Sequence, residues 1–509
     1  MPEPPADADN VQEPSGARPQ GAARNTFFAF LTQMSTAAFT AALTLYLVRA
    51  LGPREFGILS LAISVGALVY LPSDFGISAS AARFIAERRD DPRAVAALMS
   101  DAVRLKLMIS GALSAVLIAT AGLIADAYGH PELTWPIRWV AVAVLGQSVV
   151  AFYRYAYIAQ RDVSRAFRIV FSESAVEATA SILLVIAIGG ASSAAAGRAI
   201  GYAAGIGAAV LVTLRTLGTR AFRRAHGVGE TRRRLARYAG ALFVIDAAFT
   251  AAVQSSPLLI GAFLNPTSVG VFQAPARLIV FLQYVGQSVA NGVAPGLARR
   301  EGHEPEARTF AAALRYLLVY QAVLVAPVVV WAEPITDLVL GDGYERSADV
   351  LRALAPYIYF SGLAALAATG VNYLGEARRR VPLALLDLTI GVGLTAVLLP
   401  TMGLLGAAYA SDVSSLFYVP LHIWIARRFI ELPLKPLFLA MLRGLLAAAA
   451  MAGVLFAFGT DDLSVLDWVG GAVLGLAAFL AVLFATRELR PGDLAALRRW
   501  VRSRRGARA

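Results

Sequence analysis

Two acidic residues, Glu173 and Glu177, lie four positions apart inside an otherwise apolar stretch. Residues at this spacing share one face of a helix. Two carboxylates so close repel each other, so one of them would hold a proton more readily. The pair is a candidate site for a coupling proton, and pairing with Arg165 or Arg168 is the alternative. The other acids within apolar segments, further candidates for a coupling ion, are Asp246, Asp387 and Asp412.

Two more charged residues interrupt apolar stretches, and each has two interpretations. Asp74 follows a Pro-Ser pair, where it would either cap a helix break or line an internal cavity. Arg277 lies in FQAPARLIVF beside Pro275, and a proline can expose polar backbone within a membrane helix. An arginine at that depth either marks a functional site or extends its guanidinium to the membrane surface.

The composition explains why these charges stand out. Of 509 residues, 58% are hydrophobic and 16% are charged, against about 25% charged in soluble domains. The apolar residues come in runs of about twenty, the length that crosses a bilayer as a helix. There is no cysteine and the four histidines are scattered, so no disulfide, metal site or cofactor is expected. The sequence predicts an all-α polytopic membrane protein.

About fourteen segments qualify as transmembrane helices, or twelve if two that carry charges are re-entrant. Lysine and arginine test this assignment, because they concentrate in cytoplasmic loops. Of the 46 such residues, 39 fall on the side of both termini and seven on the other side. Both termini are therefore expected in the cytoplasm, and the basic balance needs no nucleic-acid partner. The predicted spans are about 26–48, 57–82, 105–125, 136–158, 169–190, 196–214, 239–261, 269–293, 311–331, 350–373, 382–400, 403–426, 437–458 and 467–486.

Three short patterns recur, displaced by 210, 213 and 211 residues. Six spans separate the copies, so both halves cross the membrane in the same direction. The sequence thus predicts two pseudo-symmetric six-helix bundles, related by an axis along the membrane normal, with a cavity between them. The matching segments are AAFTAA at 37–42 and 247–252, LGPREFG at 51–57 and LNPTSVG at 264–270, and RRDDP at 88–92 and RREGHEP at 299–305. The expected units are a disordered tail (1–24), a first bundle (25–215), a basic linker (216–238), a second bundle (239–430), two extra helices (431–486) and a basic tail (487–509).

The opening spans resemble those of a known family. LYLVRALGPREFGILSLAISV followed by SDFGISASAARFIAE is similar to the first helices of oligosaccharide-lipid flippases in the multidrug/oligosaccharidyl-lipid/polysaccharide exporter superfamily. Similar segments recur at 269–300, 341–360 and 400–417. The resemblance implies fourteen helices and alternating access in the cytoplasmic membrane. It also implies a polyprenyl-pyrophosphate-linked glycan as substrate, surface polysaccharide biosynthesis as the process, and polysaccharide assembly proteins as further partners.

Such a substrate would need cationic donors within the membrane, because a bare pyrophosphate in hydrocarbon is costly. Arg277 is the leading candidate. Together with Leu278 and either Ala274 or Ala276, it partly matches the arginine-bearing eighth helix of the related lipid II flippases. Those flippases also carry arginines early in helices one and two, where this chain has Ala37 and Asp74. That departure counts against lipid II itself as the substrate. The other candidates for substrate contact are Arg49, Arg54, Arg154, Arg198, Asp74 and Asn291.

Two other functions stay open at this point. A multidrug exporter of the same superfamily would prefer an acidic and aromatic cavity, whereas a flippase cavity should be net cationic. A membrane glycosyltransferase or polymerase would be expected to carry an acidic motif on a large outer loop. The longest outer loop predicted here, 332–349, has only eighteen residues, so an enzyme is the less favoured interpretation.

Overall fold

The computed structural model describes residues 19–219, 229–298 and 303–489, and these form sixteen α-helices with no β-strand among them. The predicted all-α class is therefore confirmed. The helices are α1 (Pro19–Asp74), α2 (Ile77–Glu87), α3 (Pro92–Ala127), α4 (Thr134–Ala159), α5 (Val163–Ala187), α6 (Gly190–Leu217), α7 (Gly229–Phe263), α8 (Pro266–Val293), α9 (His303–Val330), α10 (Ala332–Leu340), α11 (Ser347–Ala353), α12 (Ala355–Tyr373), α13 (Arg380–Met402), α14 (Leu404–Ala426), α15 (Leu434–Ala457) and α16 (Val465–Ala485).

The long helix α1 contains the first predicted span and most of the second, whose end lies in α2 beyond the break after Asp74. It bends at Gly52, whose φ of 67° is a left-handed conformation that glycine adopts without steric cost. Pro53 follows and cannot donate a helical hydrogen bond. Within the described residues, eleven helical segments are long and apolar enough to cross a membrane, or twelve if the bent pair α11–α12 is one span. With α1 counted as two spans and α14 added, every predicted span has a helical counterpart.

Corresponding helices in the two halves pack in the same way. In the first half α5 contacts α6, α1 contacts α5, and α4 contacts both α3 and α6. In the second half α13 contacts α14, α7 contacts α13, and α12 contacts both α9 and α14. These equivalent pairs form the two pseudo-symmetric bundles that the repeat predicted. The remaining helices, α15 and α16, pack beside α9 and against each other.

The two bundles meet through a reciprocal backbone contact, which we call the glycine seal. A Cβ added to Gly57 would lie 1.8 Å from the carbonyl oxygen of Pro266, and one added to Gly270 would lie 1.8 Å from that of Pro53. Both glycine–proline pairs are related by the repeat displacement of 213 residues. Such reciprocity is what a twofold axis between two units produces. Only glycine permits so close an approach.

Side chains reinforce the same end of the molecule. Arg49 donates from Nε to the carbonyl oxygen of Val339 at 3.1 Å and from a second nitrogen to that of Leu338, at the end of α10. The Tyr344 hydroxyl donates to the carbonyl oxygen of Val48 at 3.0 Å. The sequence predicts this end to be extracytoplasmic. The bundles are therefore tied together at the predicted outer side.

At the opposite end an aromatic contact joins the two bundles. There α1 ends at Asp74, and Phe75 adopts a positive φ of 38° before α2 begins. The Phe75 ring contacts the Phe243 ring of α7 with centroids 4.5 Å apart. An aromatic pair at this distance is attractive by about 0.5–1.5 kcal/mol, so it holds the break after α1 against the second bundle.

The predicted tails and linker are only partly covered. Residues 1–18, 220–228 and 490–509 lie outside the described residues. Within the described part, α1 begins at Pro19, inside the predicted N-terminal tail, and α7 begins at Gly229, inside the predicted basic linker. Just before the last gap, Glu488 accepts hydrogen bonds from Arg315 of α9 at 2.5 Å and from Arg443 of α15 at 2.8 Å. This ion cluster holds the end of α16 against the second bundle.

Candidate functional site

Each bundle encloses a cavity. The first-bundle cavity, about 460 Å³, is lined by α1, α4, α5 and α6, together with one residue of α8. The second-bundle cavity, about 530 Å³, is lined mainly by α7, α8, α12, α13 and α14. Polar side chains project into both, which is unusual inside hydrophobic helices and marks functional sites in membrane proteins.

Arg277 lines both cavities. It lies on α8, which starts with Pro266 and is capped by Asn265, whose side chain accepts from the Ser268 N–H at 2.9 Å. The guanidinium is partly buried, and no residue in the described part of the chain pairs with it or accepts a hydrogen bond from it. Arg277 is thus an unneutralised cation placed where the two bundles meet.

The first-bundle cavity holds the predicted acidic pair. Glu177 pairs with Arg198 of α6 at 2.6 Å, and Arg198 also donates to the Tyr202 hydroxyl at 3.4 Å. Glu173 is buried, 7% exposed, and accepts from the Ser174 hydroxyl at 2.9 Å. The pair therefore faces the cavity on one side of α5, as the four-residue spacing predicted.

The expected partner of the acidic pair was wrong. Sequence spacing suggested Arg165 or Arg168, but Arg165 pairs with Asp162 at 3.0 Å. Both arginines line a separate pocket nearer the start of α5. The physical reason is position along the helix. These arginines lie about one to three turns before the glutamates, whereas Arg198 projects from the neighbouring helix at the same level as Glu177.

The charges of the first-bundle cavity favour an anion. Its lining includes three arginines (Arg154, Arg198 and Arg277) and two glutamates (Glu173 and Glu177). Because Arg198 and Glu177 neutralise each other, and Glu173 is the other acid, the cavity keeps a cationic excess. Predicted candidates Arg154, Arg198 and Arg277, from three different helices, are thus brought together in one space.

The second-bundle cavity is closer to neutral. Asp246 of α7 and Asp387 of α13 line it, together with Arg277 and Arg380. Asp387 accepts a hydrogen bond from the Ser414 hydroxyl. Of the predicted coupling-ion candidates, Asp246 and Asp387 therefore share one space. Among the described residues, no group of three or more potential metal ligands comes together.

Asp412, the remaining coupling-ion candidate, does not line either cavity. Its carboxylate accepts the backbone N–H of Tyr357 at 2.9 Å, near the start of α12. A carboxylate in that position satisfies one of the free N–H groups of a helix N-terminus and is favoured by the helix dipole. Asp412 thus joins α14 to α12.

Asp74 has a partner that the sequence did not suggest. Lys106 of α3, whose side chain is fully buried, donates to its carboxylate, and the Ser78 hydroxyl donates to the same oxygen. The expectation that Asp74 caps a helix break was wrong, because the N-cap of α2 is Gly76, without a side-chain cap. Asp74 lines neither cavity. It forms an ion pair, buried on the lysine side, that fixes α3 against the break after α1.

Removal of the lysine should destabilise the protein strongly. We expect Lys106→Met to lower the free energy of unfolding by about 1–3 kcal/mol, since it leaves the half-buried Asp74 carboxylate without its counter-ion. Lys106→Met combined with Asp74→Leu should recover most of the loss, because no charge then stays buried. Thermal unfolding in detergent would measure both variants. Equal melting temperatures for Lys106→Met and the unchanged protein would contradict a stabilising pair.

Three other predicted candidates lie outside both cavities. Arg49 binds the end of α10 as described above. Arg54 is exposed and pairs with Glu132 at 2.6 Å. Asn291 is exposed near the end of α8 and accepts from the Gln287 amide at 3.0 Å. In this conformation these residues contact protein rather than an internal space.

The sequence does not predict the contacts of two residues, Lys106 and Arg380. The one signal for Lys106 is its rarity, because the chain has only two lysines and the other is Lys435. The distribution of basic residues predicts that Arg380 lies in a cytoplasmic loop. Instead it lines the second-bundle cavity, and it donates to Asn372 at 2.8 Å and to the Tyr418 hydroxyl at 3.3 Å. Because Arg380 directly follows Arg378 and Arg379, the sequence alone does not distinguish it as the arginine that lines a cavity.

The architecture and its two internal cavities define a multi-pass helical membrane protein. The fold is similar to the solved structure "Lipid II flippase MurJ, inward closed conformation", with a TM-score of 0.73, 12% sequence identity, and coverage of 92% of this chain and 99% of that one. It is also similar to "Inward-facing conformation of a multidrug resistance MATE family transporter of the MOP superfamily", with a TM-score of 0.64, 14% identity, and coverage of 77% and 95%. A third similar structure is "Outward-facing conformation of a multidrug resistance MATE family transporter of the MOP superfamily", with a TM-score of 0.54, 15% identity, and coverage of 81% and 95%.

Residues 22–299 match the family described as "Polysaccharide biosynthesis protein", and the chain belongs to this family. No curated protein sequence matches it. The resemblance stated from the opening helices, to the multidrug/oligosaccharidyl-lipid/polysaccharide exporter superfamily, is thereby confirmed. The titles of these similar structures name a flippase and transporters.

Proposed function

We propose that this protein moves a polyprenyl-pyrophosphate-linked oligosaccharide across the cytoplasmic membrane by alternating access, for the synthesis of a surface polysaccharide. The observation that carries the proposal is the position of Arg277, which lines the cavities of both bundles without an acidic partner among the described residues. An arginine is always charged and presents a planar fork of donors that matches phosphate oxygens. Its counter-ion is the substrate.

The remaining cations of the first-bundle cavity would share the pyrophosphate. Arg154 lines that cavity without a carboxylate partner in the described residues, and Arg198 is held by Glu177 at 2.6 Å. A dianionic group beside Arg277 would compete with Glu177 for Arg198. Proton uptake by the Glu173–Glu177 pair would remove that competition, so these carboxyls couple a proton to substrate binding.

The second bundle would supply a second coupling site. Asp246 and Asp387 line its cavity, and carboxylate oxygens suit either a proton or a small hard cation. Occupation of this site and of the pyrophosphate site would bias the same rearrangement of the two bundles, because Arg277 borders both cavities. The orientation, with both termini in the cytoplasm, follows from the distribution of 46 basic residues.

A multidrug exporter is the second candidate, and the charges disfavour it. A site for lipophilic cations would be acidic, whereas the first-bundle cavity has three arginines against two glutamates. The second-bundle cavity has two arginines and two aspartates. Neither cavity offers the net negative charge that would attract a cationic drug.

Transport by the purified protein in proteoliposomes would test the proposal. We expect translocation of a short-chain polyprenyl-pyrophosphate-linked sugar to be faster than in protein-free vesicles, because the cavity arginines replace the water around the pyrophosphate. A cationic dye should cross at the same rate in both kinds of vesicle. Export of the dye without movement of the lipid-linked sugar would overturn the proposal and favour the drug exporter.

A further inference from the structure

A third pocket, which we call the arginine pocket, lies at the predicted cytoplasmic end of the first bundle. It has a volume of about 480 Å³ and is formed by the early part of α1, the start of α5 and the end of α6. Four arginines line it, one from α1, two from α5 and one from α6. They are Arg24, Arg165, Arg168 and Arg215.

The arginine pocket keeps a strong positive charge. Asp162 is the one acid in its lining, and its carboxylate is occupied: it pairs with Arg165 at 3.0 Å and accepts from the Ser164 hydroxyl at 2.7 Å. Arg24, Arg168 and Arg215 have no ion pair or hydrogen bond to any residue that the structure describes. These three arginines are exposed, and a bound anion would give their guanidinium groups a common counter-ion.

The other side of the arginine pocket is apolar and faces outward. Ala208, Leu211 and Val212 of α6 complete the lining, and Leu211 is 57% exposed on the helix surface. Exposed leucine on a membrane-spanning helix faces lipid tails. A ligand that fits both sides has an anionic head and a hydrocarbon chain, so a free phosphate ion would use only half of the site.

We propose that the arginine pocket binds the phosphate-bearing headgroup of a lipid in the cytoplasmic leaflet. Two lipids present this chemistry there: an acidic phospholipid, and the polyprenyl pyrophosphate of the incoming substrate. The assignment to the cytoplasmic leaflet rests on the orientation given under the proposed function. The site is distinct from the cavities that Arg277 lines, because the two sets of lining residues do not overlap.

Lipid binding to the full-length protein in detergent, measured by native mass spectrometry, would test this site. The probes are phosphatidylglycerol, polyprenyl pyrophosphate and inorganic phosphate. We expect Arg168→Gln with Arg215→Gln to weaken binding of the recognised lipid about thirtyfold, since each arginine near an acidic lipid surface contributes roughly a factor of five. Inorganic phosphate should bind weakly to every variant. Loss for one lipid probe and not for the other identifies which lipid occupies the pocket.

The matched control removes two arginines from the other bundle. Arg378 and Arg427 lie next to α13 and α14, which correspond to α5 and α6, and they line none of the three cavities. Arg378→Gln with Arg427→Gln should leave lipid binding unchanged. Equal lipid binding by both double variants would overturn the proposal. The four arginines would then only mark the cytoplasmic side of the membrane. Equal affinity for inorganic phosphate and for lipid would also overturn it, because the apolar side would then contribute nothing.

This result is separable from the proposed transport function. Arg277→Ala should retain lipid binding at the arginine pocket, because Arg277 does not line it. Loss of binding in Arg168→Gln with Arg215→Gln would therefore support the pocket even if the transport assay failed.

Discussion

Arg277→Ala should abolish transport of the lipid-linked oligosaccharide while leaving the amount of protein in the membrane unchanged. The guanidinium has no partner among the described residues, so its loss breaks no ion pair and should cost little stability. The pyrophosphate, by contrast, loses the cation that borders both cavities. Accumulation of the lipid-linked glycan on the cytoplasmic leaflet, together with loss of surface glycan, would measure the effect.

Arg277→Lys and a matched arginine elsewhere sharpen that experiment. Lysine keeps the charge but not the bidentate fork, so Arg277→Lys should retain partial activity. Arg54 is exposed and lines no cavity, so Arg54→Ala should transport normally. Wild-type surface glycan in Arg277→Ala, at normal protein abundance, would show that the guanidinium only reaches the membrane surface.

Gly57→Ala should open the glycine seal. The added methyl group would meet the Pro266 carbonyl oxygen at 1.8 Å, and backbone cannot move aside as a flexible side chain can. Overpacking of this kind costs about 1–3 kcal/mol, and only the sealed state bears that cost. The population should therefore shift by about fivefold to a hundredfold toward a state open at the predicted outer side. Gly270→Ala should act in the same way, since its contact is the symmetric counterpart.

A single cysteine would report the opening. The chain has no natural cysteine, so Gln273→Cys, in the lining of the second-bundle cavity, would be the only target for a membrane-impermeant maleimide added outside the cells. Its labelling should be faster in the Gly57→Ala background. Gly122→Ala is the control, because nothing lies within 4 Å of a Cβ added there. Unchanged labelling in Gly57→Ala would mean that the contact is not a gate.

Much of the fold was predictable because the forces that define it are local. A run of about twenty apolar residues forms a membrane helix whatever its neighbours are, so the span positions could be assigned one at a time. The repeat could also be detected, since it preserves a short pattern around Pro53 and Pro266. The position of Arg277 beside a helix proline was a local signal of the same kind.

The pairings across helices were not predictable from one sequence. Glu177 and Arg198 are 21 positions apart on different helices, and only the packing of α5 on α6 decides that they meet. Lys106 and Asp74 are 32 positions apart. The close contact of Gly57 could not be predicted for the same reason, because the sequence does not show which backbone packs against a helical glycine.

The repeat displacement of 213 residues places Ser64 of the first half opposite Arg277 of the second. Ser64 is buried and donates to the carbonyl oxygen of Ser60 at 2.9 Å. Unlike Arg277, it is uncharged. A dimer of two identical chains would have to place two arginines at this level, or none. Because one polypeptide contains both halves, their equivalent positions can carry different residues. A single arginine can therefore lie beside the pseudo-twofold axis. The proposed pyrophosphate would then meet one arginine at this level rather than two.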